Sequence, residues 1–416
     1  MIKQIIYVYF VSVFFLFNAF SSETDFDTYL SWALKENAGI QSYYENWQSA
    51  LFAIKHSASL PNPKLSYGHF IESIETRVGP QKFKVGVSQT IPWLGKLSSS
   101  KDIAVQKAYK AELELFLACV DLRLYLIESF LDLFYIQSSI RHQKDSLDLI
   151  KVIEKIALSQ VKVGGSSADV IQSQMELNRQ QYQLQTLEEK ERVLTVTINA
   201  ILNREIDSAL SLPLDIDLLL NEPEEELMYF RTDGELSQAN PKLKILENEI
   251  DIQKFRKKLA HQNKYPDLTV GLDWVNTGKA IMPTPDSGKD SLVGVLSINF
   301  PIWRNTYRSQ EKEIEAQVNR FSKVHQQYLY DLHTKQNKIL YEYSDAKRRI
   351  DLFRESLIPE AEKSLSILTD GYRTGRVDFE RLQNTQSNLL SLQLSLEKAR
   401  VDLAVSVARF RALIGE

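Results

Sequence analysis

The feature that most constrains the fold is the uneven placement of glycine and proline. The chain has 416 residues, among them 15 glycines and 12 prolines. Sixteen of these 27 residues fall in two windows, Pro61–Gly95 and Lys264–Pro301. Because both residue types interrupt regular helix, strands and turns are expected in these two windows. The rest of the chain is left to form helix.

Five long segments contain neither glycine nor proline and carry apolar residues at helical spacing. At a rise of about 1.5 Å per residue, the first of them would be a helix on the order of 100 Å long. Its Leu-rich part places apolar residues around most of the helix, so neighbouring helices are needed to cover them. The five segments are Leu97–Val163, Ser166–Leu212, Lys242–Tyr265, Asn305–Ile358 and Arg376–Ile414.

The two windows belong to two copies of one unit. Residues 37–68 align without a gap to residues 240–271, and this alignment matches Asn37 with Asn240. Further matches keep the same order: VKVG at 161–164 with YRTG at 372–375, and INAILNR at 198–204 with FRALIGE at 410–416. Ordered glycine and proline matches argue against chance similarity between Leu-rich helices. Each copy predicts helix, strand, turn, strand, long helix, glycine-containing hairpin and long helix.

This repeat sets the predicted organisation of the chain. A first repeat over residues 22–204 and a second over 235–416 are joined by a connecting segment at 205–234. Strands are expected at about 63–72, 82–92, 265–276 and 291–301. Long helices are expected at about 96–163, 166–204, 304–372 and 376–414.

The N-terminus predicts export. Lys3 precedes an apolar run from Ile5 to Phe17, and small residues follow near Ala19, so residues 1–21 are expected to be a signal peptide. An uncleaved anchor is the alternative, although the run is short for a hydrocarbon core about 30 Å thick. The single Cys119 allows no intrachain disulfide and lies far from the cleavage signal, so no lipid anchor is expected.

The composition argues against several classes of function. The net charge of -4 gives no sign of nucleic-acid binding. The six histidines lack metal-ligand spacing, and no phosphate-binding loop or catalytic constellation is recognisable. We therefore expect no enzyme activity, no catalytic, cofactor-binding or metal-binding residues, and no nucleic-acid partner.

The strands alternate in polarity. Leu268, Val270, Leu272 and Trp274 share one face of a strand, whereas its other face is small or polar. A soluble sheet packed on one side would show the same alternation. A membrane barrel is favoured for three reasons. Aromatic residues lie at the strand ends, and the polar face lacks the bulky apolar residues of a sandwich core. In addition, an exported chain without an 18-residue apolar stretch crosses lipid only as a closed sheet.

Four strands are too few to close such a barrel. The smallest closed membrane barrels have about eight strands and a filled interior, so copies of the chain must pool their strands. Two copies would give a filled tube, whereas three would give twelve strands around a pore, and we prefer three. The strands would end near Pro92 and Pro301, where Trp93 and Trp303 mark the junctions between barrel and helices.

With this organisation the chain resembles the TolC-type outer-membrane efflux channel family. The resemblance covers about residues 27–416 and rests on the duplicated architecture, VGVSQTIPWLGK, VGVLSINFPIW, YRTGRVDF and the terminal FRALIG. IPWLGK is most similar to the heavy-metal, CusC- and CzcC-like branch. The resemblance implies a mainly α fold with a small β part, a homotrimer with a twelve-stranded barrel in the outer membrane, and a long periplasmic helical barrel. It also implies a periplasmic adaptor and an inner-membrane pump as partners.

The resemblance also implies functional residues. Two helix-hairpin tips would contact the adaptor, namely Val163, Gly164, Gly165 and Ser166 and, in the second repeat, Thr374, Gly375, Arg376 and Val377. Plain helix turns are the alternative, since glycine supplies positive φ at such turns. The family often carries acidic residues six and nine positions after the tip glycine, but here Arg381 and Asn384 occupy those positions. Asp169, Asp378 and Glu380 are therefore the candidate gate carboxylates, with Arg373, Arg376 and Arg381 as their partners, and ordinary solvated charges are the alternative.

Three functions compete at this point. The leading hypothesis is a passive exit duct of a tripartite efflux system for substrates such as metal cations or drugs. The exit duct of a type I protein secretion system has the same fold, and neighbouring genes would separate the two. A periplasmic structural or adaptor coiled coil belongs to a different class, and it predicts neither an outer-membrane oligomer nor conductance.

Overall fold

The computed structural model describes residues 25–162, 164–210, 233–282 and 284–416. The predicted signal peptide, most of the predicted connecting segment and the predicted tip residue Val163 lie outside the described residues. The chain divides into two compact units. One, the helical unit, contains the start of the chain up to Ser42, Phe116–Pro241 and Tyr330–Glu416. The other, the sheet unit, contains Tyr43–Leu115 and Lys242–Leu329.

The described elements follow the duplicated order. In the first half these are α1 (Asp25–Glu36), α2 (Ala38–Ser57), β1 (Lys64–His69), β2 (Gln81–Ile91), α3 (Lys96–Val161) and α4 (Ser167–Ile201). In the second half they are α5 (Asp233–Ala239), α6 (Pro241–Gln262), β3 (Leu268–Thr277), β4 (Ser291–Ile298), α7 (Arg304–Leu352), α8 (Ile358–Arg373) and α9 (Phe379–Ile414). The predicted class, mainly α with a small β part, is confirmed.

Equivalent positions of the two repeats make equivalent contacts. The side-chain amide of Asn37 donates to the carbonyl of Ile201 at 3.0 Å, and that of Asn240 donates to the carbonyl of Leu413 at 2.8 Å. Each asparagine therefore satisfies a carbonyl at the end of the last helix of its own repeat. The aligned residues Asn203 and Gly415 both have positive φ, 53° and 84°, just after those helices. Asn203 is the one non-glycine residue with positive φ in the described chain.

The four strands form one antiparallel sheet in the order β1-β2-β3-β4. The pairing of β2 with β3 joins the two repeats, with Val87 opposite Leu272 and Ile91 opposite Leu268. In the part of the chain that the structure describes, β1 and β4 each pair on one side. The sheet is therefore open at both edges, and its unpaired backbone groups are available to further strands.

The apolar core of the helical unit is divided among helix pairs. One cluster joins α1 to α3 and α4 around Phe130 and Ile198, which are fully buried. A second joins α7 to α9 around Ala346 and Leu403. The cluster next to the turns is described with the site below. The expectation that the Leu-rich helices are covered by neighbouring helices matches these contacts.

Several element ends differ from the predicted ones. β1 has 6 residues, fewer than the predicted ten or so, and β4 ends at Ile298, three residues before Pro301. The predicted helix at 304–372 is interrupted by a π-helical turn at Phe353–Leu357. Pro359 follows that turn, and since proline has no N–H and crowds the preceding turn, a wider turn accommodates it. The N–H of Ile358 accordingly donates to the carbonyl of Phe353.

Candidate functional site: the two helix-hairpin tips

Both helix hairpins turn by the same backbone motif. In the first tip, between α3 and α4, the N–H of Gly164 donates to the carbonyl of Val161 and that of Gly165 to the carbonyl of Gln160. In the second tip, between α8 and α9, Gly375 and Arg376 make the same two bonds to Tyr372 and Gly371. Gly164 and Gly375 have φ of 96° and 70°. This is the Schellman motif, in which a glycine with positive φ ends a helix.

The helices that leave the two tips begin differently. Ser166 precedes α4, and its hydroxyl accepts a hydrogen bond from the N–H of Ala168 at 3.2 Å. This is an ordinary N-cap, which satisfies one of the free donors at the helix start. Asp378 holds the corresponding position before α9 but makes no capping bond with its side chain. Its carboxylate is exposed and remains available to other groups.

Two contacts tie the second tip to the first. The Tyr372 hydroxyl donates to Asp169 Oδ2 at 3.0 Å, which joins the end of α8 to the first turn of α4. The Gln160 side-chain amide donates to the carbonyls of Tyr372 at 2.7 Å and Arg373 at 3.2 Å. Burial and the Asp169 carboxylate raise the pKa of the Tyr372 phenol well above its usual range. The phenol therefore remains a protonated donor at neutral pH.

An apolar cluster supports these contacts. Tyr372 is only 4% exposed, and its ring meets that of Phe379 edge to face at 5.9 Å between centroids. Ala157 and Leu382 are fully buried in the same cluster, which draws residues from α3, α8 and α9. Because packing in this cluster restricts rotation of the Tyr372 ring, its hydroxyl stays directed toward Asp169. The tip contact is thus part of a packed structure.

Charged residues of the second tip face outward. Asp378, Glu380, Arg381 and Asn384 line one open depression on the start of α9, and all four are exposed. Within the described residues neither Asp378 nor Glu380 forms an ion pair. Arg373 pairs with Asp370 at 3.3 Å, one turn earlier in its own helix.

A buried polar network lies farther along the same helices. Glu176, 5% exposed, accepts hydrogen bonds from Arg179, Gln180 and Gln383, at 2.6, 2.9 and 3.1 Å. Gln180 also accepts hydrogen bonds from Gln143 and Ser146 of α3, and Gln386 of α9 donates to Ser146. A buried carboxylate requires such partners because desolvation disfavours its charge. The network links α3, α4 and α9 through directional bonds.

The sheet has one apolar and one polar face. Paired residues of neighbouring strands point to the same face, so Leu65, Val87 and Leu272 form one apolar row across the sheet. These side chains are exposed, Leu65 by 76% and Leu272 by 52%. On the opposite face Lys84 Nζ lies 2.8 Å from Asp273 Oδ2. A soluble sheet would bury its apolar face, whereas in this chain the apolar face is exposed.

None of the helices in the described part of the chain is both long enough and apolar enough to cross a membrane. Likewise, the described residues contain no group of three or more His, Cys, Asp or Glu side chains placed to hold a metal ion.

This arrangement matches solved structures along almost the whole chain. VceC, an outer membrane protein from Vibrio cholerae, is 14% identical, covers 94% of this chain and 96% of its own, and has a TM-score of 0.78. The open MtrE outer membrane channel of Neisseria gonorrhoeae is 12% identical, with coverages of 94% and 89% and a TM-score of 0.76. The chain has the fold of the outer-membrane channels. Its resemblance to the TolC-type family is confirmed at the level of fold.

The outer-membrane channel fold is not accompanied by a sequence match. Neither a protein-family model nor a curated protein matches the chain. CusC, whose structures concern folding and transmembrane channel formation, is 12% identical, with coverages of 96% and 95% and a TM-score of 0.76. This identity and this TM-score equal those of MtrE, so membership of the heavy-metal branch stays a prediction.

The predicted site residues hold distinct positions in this channel fold. Of the gate candidates, Asp169 has a partner across the tips, but that partner is Tyr372 and not one of the predicted arginines. Arg376 and Arg381 make no ion pair within the described residues, so their predicted pairing stays a prediction for contacts between copies. Sequence reasoning missed Tyr372 and Gln160. A difference between the repeats could have identified Tyr372, since YRTG has tyrosine where VKVG has valine.

Of the predicted junction residues, Pro92 and Trp93 lie directly after β2, whereas Pro301 and Trp303 lie in the connection from β4 to α7. Pro92 directly follows β2, and the N–H of Trp93 donates to Asp267 Oδ1 at 2.8 Å. The Trp93 ring stacks on Tyr265 with 5.2 Å between centroids. Trp303 directly precedes α7 and is 75% exposed.

Proposed function

We propose that this chain is the outer-membrane component of a tripartite efflux system, a passive exit duct through which an inner-membrane pump expels substrates. The observation that carries the proposal is the sheet with two open edges and an exposed apolar face. A sheet of this kind is unstable alone in water and suited to lipid once its edges are paired. The helices that continue from its strands would extend the duct into the periplasm.

Open edges and strand number together support a homotrimer. Pairing β4 of one copy with β1 of the next would satisfy the free backbone groups around a closed ring. Four strands per chain in three copies give twelve, which is within the range of membrane barrels and leaves room for a pore. No residue is assigned a catalytic role, because the proposed work is passage through water.

The two faces of the sheet support an assignment of which side of the proposed barrel wall contacts lipid and which side contacts water. Exposed apolar rows such as Leu65, Val87 and Leu272 would contact lipid. The polar face, with the Lys84–Asp273 ion pair and the 2.9 Å bond between the hydroxyls of Thr90 and Thr269, would face the water-filled interior. An ion pair in that position is hydrated, whereas in hydrocarbon it would be costly.

The tips are proposed to close the periplasmic end. The Tyr372–Asp169 bond and the Gln160 contacts hold the second hairpin against the first. An adaptor and a pump that bind the tips would open the duct by favouring the state in which these bonds are broken. Asp378, Glu380 and Arg381, which lack ion-pair partners within the described chain, would meet their copies around a threefold axis.

The substrate class is set by the partners in this proposal. A water-filled duct discriminates weakly among solutes, so the inner-membrane pump would select the cargo, whether metal cations or drugs. The predicted periplasmic adaptor would join that pump to the tips. The outer membrane, with a periplasmic helical extension, is the proposed location.

The proposal is tested by fractionation and conductance of the full chain. We expect the mature protein in the outer-membrane fraction as an oligomer that dissociates on heating, and discrete channels after insertion into a planar bilayer. A protein recovered from the soluble or inner-membrane fraction would contradict the location. An outer-membrane oligomer that never conducts, even with Tyr372→Phe to release the tips, would contradict the duct.

A further inference from the structure

A basic groove lies beside the junctions between strands and helices in the sheet unit. It runs between α6 and the first turns of α7. We call it the junction groove, and its basic side chains are Lys254, Lys257, Lys258, His261, Arg308 and Lys312. α6 ends six residues before β3 begins, and α7 begins six residues after β4 ends. The groove is thus tied by short connections to the strands.

Part of this positive charge is compensated within the chain. Lys257 lies 3.5 Å from Glu315, and Lys254 lies 2.8 Å from Asp251. Glu311, the other carboxylate of the groove, is bonded to His261 at 2.9 Å and to Lys264 at 2.6 Å. The hydrogen bond from Lys264 lowers the pKa of Glu311, so this carboxylate is ionised at neutral pH. Both groove carboxylates are therefore already paired.

Three cations of the groove remain uncompensated. Lys258, Arg308 and Lys312 are exposed and have no carboxylate partner among the residues that the structure describes. They come from two helices and converge on one concave surface. Their convergence favours an anion that carries several acceptor oxygens, such as a phosphate group, which Arg binds with two parallel hydrogen bonds.

The groove adjoins apolar and aromatic side chains. The His261 ring meets Tyr265 at 6.1 Å between centroids, and Tyr265 in turn stacks on Trp93. Phe300 and Ile302, in the connection from β4 to α7, are 74% and 68% exposed. Free phosphate would make no apolar contact with these side chains. A phospholipid would contact them with its hydrocarbon chains, because aromatic and apolar side chains occupy the headgroup boundary of a membrane while Lys and Arg reach its phosphates.

We propose that the junction groove binds the headgroups of anionic phospholipids in the membrane leaflet next to the strand–helix junctions. The phosphate is held by Lys258, Arg308 and Lys312, and the acyl chains lie along the exposed apolar face of the sheet. This inference rests on the proposed membrane location. Its physical consequence is that anionic lipid anchors the depth of the sheet, because basic residues are attracted to a negatively charged lipid surface.

The test measures lipid retention by the full-length protein in detergent. Phosphatidylglycerol, which is anionic, and phosphatidylcholine, which is zwitterionic, are titrated and the bound copies are counted by native mass spectrometry. The test variant is Lys258→Gln/Arg308→Gln/Lys312→Gln. The matched control is Lys190→Gln/Arg192→Gln/Lys363→Gln, which removes three exposed cations of the helical unit. We expect the test variant to bind phosphatidylglycerol on the order of 100-fold more weakly and the control to bind like wild type.

Each other outcome decides against the proposal. Equal retention of the two lipids, or unchanged retention by the test variant, would overturn it. Displacement of phosphatidylglycerol by inorganic phosphate at similar concentration would assign the groove to a soluble anion instead. Arg308→Lys keeps the positive charge and loses only the paired hydrogen bonds, so it should bind more strongly than Arg308→Gln, which separates the loss of charge from a loss of folding. Fractionation of wild type and variant shows independently whether the membrane location holds.

Discussion

Lys96 Nζ and Asp267 Oδ1 lie 2.7 Å apart and join the start of α3 to the residue before β3. The same carboxylate oxygen accepts the N–H of Trp93, and the N–H of Asp267 donates to Asn299 after β4. One aspartate therefore fastens three of the four connections between sheet and helices. The junction at which the chain changes from strand to helix is held by charge-assisted hydrogen bonds as well as by chain connectivity.

Replacing this aspartate should loosen the junction. Asp267→Asn removes the charge that Lys96 faces at a partly buried position, so we expect a loss of about 1–3 kcal/mol. The measurement is the temperature at which the detergent-extracted protein unfolds. Asp370→Asn, which removes an exposed ion pair with Arg373, is the matched control and should change stability by less than about 0.5 kcal/mol. Equal effects of both changes would show that the junction contact is ordinary surface charge.

Loss of one phenol should favour the open tip. Tyr372→Phe keeps the ring in its cluster and removes the bond to Asp169, which is worth about 0.5–1.5 kcal/mol. Each copy of the chain should therefore lose a factor of roughly 2–10 in the population of its closed tip. Single-channel recordings measure this as a greater open fraction. Tyr182→Phe, at a side chain that is 73% exposed, should leave the open fraction unchanged. An unchanged open fraction in both variants would show that the Tyr372–Asp169 bond does not hold the tip closed.

Stability should fall in acid through Glu397. Burial favours its neutral form, but the nearby His142, whose Nε2 lies 3.8 Å from Oε1, and the charge of Arg400 outweigh burial and lower the pKa of Glu397. Because the pKa is lower in the folded chain, the ionised group stabilises folding above its ordinary pKa of about 4.3. That stabilisation disappears as the pH falls through the folded-state pKa.

The measurement compares wild type with Glu397→Gln between pH 7 and pH 3. At neutral pH the variant should unfold at a lower temperature, because about 1–3 kcal/mol of charge-assisted bonding is lost. Toward the acid limit the two melting temperatures should converge. A gap that stays constant over the whole range would show that Glu397 is not ionised in the folded protein.

A charge on the apolar face of the sheet should block membrane assembly. Leu272→Lys places an ammonium where the proposal has lipid, at a cost of about 2–4 kcal/mol near the bilayer centre. The yield of heat-dissociable oligomer in the outer membrane should drop several-fold. Ser297→Lys puts the same charge on the polar face and should assemble normally. The reverse ranking would mean that the faces are assigned the wrong way round.

Periodic features of this fold were predictable from the sequence. The two-residue alternation from Leu268 to Trp274 gave the two faces of β3, because the pleat of a strand imposes that period. The repeat alignment anticipated the equivalence of Asn203 with Gly415, since both follow a helix end. Features set by tertiary contact were not predictable. The Tyr372–Asp169 bond joins residues 203 positions apart, and the π-helical turn before Pro359 depends on how the flanking helices continue.

The central claim is that the four strands close a barrel only by pairing with identical copies. Imaging of the detergent-extracted particle tests it most directly, because symmetry and strand number are read from one reconstruction. The account predicts threefold particles in which β4 of each copy lies beside β1 of the next, with a ring of twelve strands. A monodisperse single copy that keeps its fold without detergent would contradict it.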